Sequence, residues 1–187
     1  MRRLNRTRAL ALSAAAGVAV TAVVVALTVG DSTRSSSTDQ ASGPRGLEAH
    51  PARRLPDATL QLFSGTSVSF AEYRGAPLVI NFFASWCTPC LSELPEFERV
   101  HQHFQDQVRF LGLNLQDAKS DAQRIIDETG ITYDVAADPD GTLFEALGGI
   151  GMPTTILVDG RGHIVAFFNG EISGDELDAA IRHKLLA

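Results

Sequence analysis

The chain has 187 residues, of which 44% are hydrophobic and 20% are charged, an ordinary composition for a protein with one globular core. Its formal net charge of −6 argues against a nucleic-acid partner, because phosphate binding needs a basic face. Residues 1–30 contain four arginines and no acidic residue, so the net charge of the rest of the chain is more negative still.

Residues 1–30 combine a basic start with a long apolar run. The arginines fall within residues 1–8, and residues 9–30 carry no charge. As a helix rising about 1.5 Å per residue, this run extends about 33 Å, enough to cross a hydrocarbon core of about 30 Å. We predict an uncleaved N-terminal transmembrane helix, with residues 1–8 in the cytoplasm and the rest of the chain outside. A cleaved signal peptide is the alternative, although the sequence before Asp31 is a poor cleavage site.

The segment that follows has the composition of a tether. Residues 31–54 are rich in Ser, Gly and Pro and contain no aromatic residue, so they offer little surface to bury. We predict a flexible linker over residues 31–54 and a single folded domain over residues 55–187.

The predicted elements of this domain alternate between strands and helices. Nearly continuous apolar runs indicate buried strands, and apolar residues at helical spacing indicate amphipathic helices. In chain order they are a hairpin around Ser64 and Gly65, a strand over 77–84, a helix over 88–104 with a kink at Pro95, a strand over 108–116, helices over 120–130 and 140–149, a hairpin over 154–170 and a last helix N-capped by Ser173. This order predicts a three-layer α/β sandwich, with a central mixed β-sheet and helices on both faces.

Both cysteines of the chain, Cys87 and Cys90, follow the predicted strand 77–84. A structural disulfide here would close a loop of four residues and stabilise the fold by about 2 kcal/mol, against about 4.7 kcal/mol for a loop of 100 residues. A zinc site needs four ligands, and the nearest imidazoles, His101 and His103, face different sides of one helix. Neither a structural clip nor a metal site accounts for the placement, so we predict no metal.

Redox chemistry does account for the placement of the two cysteines. The strand delivers Cys87 to the first turn of the next helix, where free N–H groups and the helix dipole favour a thiolate. Such a position lowers a cysteine pKa from about 8.5 to roughly 3.5–7.5. We interpret Cys87 as the attacking sulfur and Cys90, one turn further on, as the cysteine that resolves the mixed disulfide. This chemistry needs no cofactor beyond the redox-active pair.

Three motifs extend the pattern around the cysteines. They are WCTPC at 86–90, LSELP at 91–95 and GMPTT at 151–155, the last of them before another predicted strand. In this order they resemble the TlpA/ResA-like extracytoplasmic thiol-disulfide oxidoreductases, which are redoxin or AhpC/TSA-like members of the thioredoxin superfamily. The segment ITYDVAADPDG at 131–141, with the helix before it, resembles an insertion characteristic of that family. The resemblance covers residues 55–187.

The resemblance implies a thioredoxin-like fold and assigns roles to four further residues. Pro153 is expected to be cis and to lie beside the cysteines, and Met152 to offer its backbone groups to a substrate. Trp86 is expected to face the substrate. Glu93 is expected to lie near the thiols and to tune their proton transfers, whereas helix propensity alone makes it a solvated acid.

The resemblance also implies a function. We predict an enzyme that reduces disulfides of client proteins outside a bacterial cell membrane and receives electrons from a membrane thiol carrier. Cytochrome c maturation is the best-known use in the family, which makes apocytochrome c a candidate client.

An oxidant that introduces disulfides into secreted proteins is the main alternative, and a cleaved, secreted form is an alternative location. A peroxiredoxin-like peroxidase lacks support, because the Pro-x-x-x-Thr-x-x-Cys setting is absent before Cys87. A non-enzymatic binding module with a vestigial fold is disfavoured by the two retained cysteines.

Overall fold

The computed structural model describes residues 53–187. The predicted membrane helix at residues 9–30, and all but the end of the predicted linker 31–54, lie outside these residues. Among residues 53–187, no helix is both long enough and apolar enough to cross a membrane. The domain boundaries therefore stay predictions.

The described chain begins with a short hairpin. Strands β1 (Thr59–Gln61) and β2 (Ser67–Ser69) pair antiparallel, with Leu60 opposite Val68, and a 3-10 turn follows at Phe70–Tyr73. The hairpin predicted around Ser64 and Gly65 is thus confirmed.

A five-stranded mixed sheet forms the centre of the domain. Its strands are β3 (Leu78–Phe83), β4 (Arg109–Leu115), β5 (Asp134–Asp138), β6 (Thr154–Val158) and β7 (Ile164–Asn169). They lie in the order β5-β4-β3-β6-β7. The central strand β3 runs parallel to β4 and antiparallel to β6. The end of β3 and the start of β6 consequently meet at one edge of the sheet, where Phe82 lies opposite Thr154.

Helices cover both faces of this sheet. They are α1 (Thr88–Phe104), α2 (Lys119–Thr129), α3 (Thr142–Leu147) and α4 (Gly174–Lys184). Side chains alternate along β3, so Val79 and Phe83 enter one core together with residues of α1, α2 and α4. Ile80 and Phe82 enter the opposite core with residues of α3 and the hairpin. The predicted mixed sheet with helices on both faces is confirmed.

Candidate active site

The two cysteines form a disulfide where β3 passes into α1. Cys87 is the N-cap residue of α1, and its N–H donates to the carbonyl of Ala84 at 3.1 Å, which closes a tight turn after the strand. Pro89 lies in the first turn of the helix, where a missing N–H costs nothing. The Cys87–Cys90 pair has a Cα–Cα distance of 5.3 Å. Cys87 retains 5% exposure and Cys90 none, so Cys87 is the sulfur that a second molecule reaches first.

The loop before β6 lies at the same edge of the sheet as the disulfide. The Met152–Pro153 peptide bond is cis, as the resemblance implies. The carbonyl of Pro153 accepts a hydrogen bond from Gly170 N at 2.8 Å, which ties this loop to the end of β7. Met152 packs against the same core cluster that contains Cys87 and Cys90. The substrate-binding roles of Met152 and Pro153 stay predictions.

Two large apolar side chains are exposed in the segments that form the site. Trp86, next to Cys87, is 56% exposed, and its Nε1 donates to the carbonyl of Gln116 at 3.4 Å. Ile150, three residues before Pro153, is 82% exposed. Ile150 was not predicted as a site residue, although a bulky aliphatic residue between glycines in GGIGMP was the available signal.

Glu93 is buried rather than solvated. Its side chain follows Cys90 by one turn of α1, and the residue is 2% exposed. Oε1 accepts a hydrogen bond from Asn81 Nδ2 at 3.0 Å, and Oε2 accepts one from Ile172 N at 3.2 Å. Burial raises the pKa of Glu93 to about 8, although both hydrogen bonds favour the carboxylate. Glu93 is therefore mostly protonated at neutral pH in the disulfide form.

The polar partner of this carboxyl was not predicted from the sequence. Asn81 is buried in β3 and lies directly opposite Thr155 of β6. Neither Asn81 Oδ1 nor Thr155 Oγ1 has a hydrogen-bond partner among the described residues. An amide in the otherwise apolar run PLVINFFA was the signal, because a lone polar residue in a buried strand needs a partner.

The fold and the disulfide together define the class of this protein. A dithiol pair at the N-terminus of the helix that follows the central strand, next to a cis-proline loop, is the site of a thiol-disulfide oxidoreductase of the thioredoxin superfamily. The sequence matches the AhpC/TSA family over residues 51–167, which is more than half of the chain. The chain belongs to this family.

Individual relatives agree with this class. The protein "Thiol:disulfide interchange protein DsbE" of Xylella fastidiosa is 33% identical over 153 residues, covering 80% of this chain and 73% of the relative. The "Thiol-disulfide oxidoreductase ResA" of Geobacillus thermodenitrificans is 27% identical over 123 residues, covering 65% of this chain and 71% of the relative. The crystal structure of a DsbF homologue from Corynebacterium diphtheriae superposes with a TM-score of 0.68 at 28% identity, covering 76% of this chain and 95% of the other.

Proposed function

We propose that the protein reduces disulfide bonds of client proteins outside the cytoplasm through the Cys87–Cys90 dithiol. One observation carries the exchange chemistry: Cys87 lies at the helix N-terminus where it can be reached, while Cys90 is fully enclosed one turn further on. The reducing direction rests on the family resemblance. The helix N-terminus favours a reactive thiolate at Cys87. The enclosed Cys90 reacts within the protein, with the Cys87 sulfur, rather than with a client.

The reaction begins with attack of the Cys87 thiolate on one sulfur of the client disulfide. The Cys87–client bond forms as the client S–S bond breaks, and the first client thiolate leaves. Cys90 then loses its proton and attacks the Cys87 sulfur, so that the Cys87–Cys90 bond forms and the second client thiolate leaves. The client gains two electrons and the protein loses two, and the two client thiolates take up two protons from solvent.

Glu93 is the residue that we propose as acceptor of the Cys90 proton. It follows Cys90 by one turn of α1 and shares its burial, which makes direct access of solvent to either group poor. The transfer requires Glu93 to be ionised in the reduced protein, and it leaves Glu93 protonated, which is the form that its pKa of about 8 favours in the disulfide state. When the disulfide is reduced again, the same proton returns to Cys90.

The client segment docks on the apolar surface around Cys87. Trp86 and Ile150 supply exposed apolar area on the two segments that meet at the disulfide. Met152, next to the cis-proline, supplies backbone N–H and C=O groups to an extended client segment. This arrangement selects for extended, partly apolar stretches that contain a cystine.

The proposed location rests on the sequence outside the described residues, and the proposed partners rest on the family resemblance. We propose that residues 9–30 anchor the protein in a bacterial membrane and that the linker holds the domain on the outer side. A dithiol carrier in the membrane returns two electrons to Cys87–Cys90 in each cycle; the carrier becomes a disulfide, and its two protons pass to solvent. Apocytochrome c is the client that the family resemblance supports.

The reverse direction is the second candidate. Stabilisation of the Cys87 thiolate by the N-terminus of α1 favours the reduced form, and this makes a dithiol pair more oxidising. The buried carboxyl of Glu93, once ionised, destabilises the Cys87 thiolate and so makes the pair more reducing, because two adjacent negative charges repel. The family resemblance favours the reductant.

A trapping experiment tests the proposal. Cys90→Ser is expected to capture client proteins as mixed disulfides, because Cys87 still attacks but no sulfur resolves the bond. Cys87→Ser is expected to lose exchange activity, and the double variant is the matched control that captures nothing. If Cys90 proves to be the more readily alkylated thiol of the reduced protein, the assigned roles are reversed.

A further inference from the structure

A second carboxylate, Asp117, holds the turn that presents Cys87. It lies just after β4, and its two oxygens bind a single residue of the turn: Oδ2 accepts from Ser85 N at 2.6 Å and Oδ1 accepts from Ser85 Oγ at 2.8 Å. Asn114 Nδ2 donates a further hydrogen bond to Oδ2 at 3.2 Å. Three donors from Ser85 and Asn114 thus converge on one side chain that no motif in the sequence marks.

The segment that carries Asp117 is itself fixed. Gln116 has a φ of +47°, which is rare for a residue other than glycine and persists where the surroundings enforce it. Its N–H donates to the carbonyl of Asp138 at 3.0 Å, and its Nε2 donates to the carbonyl of Asp140 at 3.2 Å. Its own carbonyl accepts from Trp86 Nε1. Gln116 and Asp117 form the corner after β4, and this corner binds both Ser85 and Trp86, the two residues immediately before Cys87.

Asp117 also carries a charge on the turn that presents Cys87. Ser85 and Cys87 are two residues apart, so their Cα atoms are separated by at most about 7 Å, and the turn between them is tight. Burial raises the pKa of Asp117, but the hydrogen bonds from Ser85 and Asn114 outweigh it and hold the pKa below its usual range. Asp117 is consequently ionised at neutral pH.

The other charged groups on the elements around the turn have different environments. Glu93 of α1 is enclosed and mostly protonated at neutral pH. Asp138 at the end of β5 is buried, and its carboxylate accepts hydrogen bonds from the N–H groups of Leu143 and Phe144. Lys119 and Asp121 at the start of α2 are exposed to solvent, as is Asp140 in the loop before α3. Water screens these exposed charges more strongly than it screens Asp117, which is partly buried.

We infer that Asp117 is a positioning residue that fixes the active-site turn and places a permanent negative charge beside Cys87. This charge opposes the Cys87 thiolate and so makes the dithiol a better reductant. The inference deepens the proposed function and rests on it only for the biological direction, because the properties concerned can be measured without a client.

The test compares Asp117→Asn with wild type in the full-length protein. Loss of the charge is expected to lower the midpoint of the pH–alkylation curve of Cys87 by about 0.5 pH unit, a roughly threefold rise in thiolate below the midpoint. The ratio of reduced to oxidised protein in a glutathione buffer is expected to rise about threefold as well, since the thiolate form is stabilised. Should Asp117→Asn not fold, Asp117→Ser carries the same expectation.

Three further variants separate charge from packing. Asp117→Glu keeps the charge and is expected to restore the wild-type midpoint. Ser85→Ala keeps the carboxylate and its bond to the backbone, and Asp140→Asn removes a carboxylate from the neighbouring loop, so both are expected to leave the midpoint unchanged. An unchanged or raised midpoint in Asp117→Asn, or equal shifts in the controls, overturns the inference. Failure of Cys90→Ser to trap clients, with the Asp117 effects intact, would instead count against the proposed function alone.

Discussion

Glu93 is the side chain whose surroundings depart most from what its place in a helix suggests. Its spacing from Cys90 and the family resemblance predict a residue near the thiols, and the structure encloses Glu93 one turn of α1 beyond Cys90. Its hydrogen-bond partners were not predicted, because Asn81 lies 12 residues away in a strand and Ile172 lies 79 residues away in another loop. A pKa near 8 arises from that enclosure and from no local sequence feature.

Replacing Glu93 by Gln tests its influence on the thiols. In the reduced protein the ionised carboxyl of Glu93 disfavours a second negative charge nearby, whereas the amide of Glu93→Gln stays neutral. We expect the substitution to lower the pKa of the Cys87 thiol and to remove from the alkylation profile the inflection that titration of Glu93 produces. Superimposable pH–alkylation curves for the two proteins would show that Glu93 does not act on Cys87.

At the scale of single elements, the agreement between sequence and structure depends on how local the determining contacts are. The helix predicted over 88–104 has those bounds in the structure, because its apolar spacing is a property of the helix alone. The strand β5 was not predicted as a strand: the run Asp134–Asp138 is short, bounded by acids and rich in alanine. It forms by parallel pairing with β4, and Phe63 of the hairpin donates to its Val135 carbonyl at 2.8 Å. Both contacts are remote in sequence.

The capping box of α4 gives a prediction at this scale. Ser173 Oγ accepts from Glu176 N at 3.3 Å, while Glu176 Oε2 accepts from Ser173 N at 3.0 Å, as the predicted N-cap requires. Ser173→Ala is expected to lower the free energy of unfolding by about 1 kcal/mol. Ser120→Ala, at an exposed position in α2, is the matched control and is expected to change stability little. Equal effects of the two substitutions in urea unfolding would contradict the capping role.

On the scale of the whole molecule, the sheet order assembles the site from segments that are far apart in the chain. The turn after β3, the corner after β4 and the loop before β6 all lie at one edge, because β3 is parallel to β4 and antiparallel to β6. Motifs in the sequence predicted the first and third of these segments. The corner at Gln116 and Asp117 carries no motif, and only the pairing of β3 with β4 brings it to Ser85.

The buried carboxyl makes the stability of the whole domain depend on pH. The pKa of Glu93 rises from its usual 4.5 to about 8 on folding, so the folded protein binds the proton more tightly than the unfolded chain. The stabilisation is complete below about pH 4.5 and is lost as the pH rises towards 8, with a slope of up to about 1.4 kcal/mol per pH unit.

Urea unfolding of the oxidised protein between pH 5 and pH 8 measures this slope. Wild type is expected to lose stability across the interval, and Glu93→Gln is expected to lack that contribution because its amide does not titrate. Parallel stability profiles for the two proteins would mean that Glu93 keeps an ordinary pKa in the fold.

The reduction midpoint of the Cys87–Cys90 pair tests the central claim most directly. Full-length protein is equilibrated in graded thiol-disulfide buffers, and the redox state is read from the fluorescence of Trp86, the single tryptophan of the chain, which adjoins Cys87. A reductant of client disulfides is expected to have a midpoint nearer to that of thioredoxin, about −270 mV, than to that of a strong oxidant, about −120 mV. A midpoint at or above about −180 mV, where disulfide isomerases lie, would contradict the account and assign the protein to the oxidants.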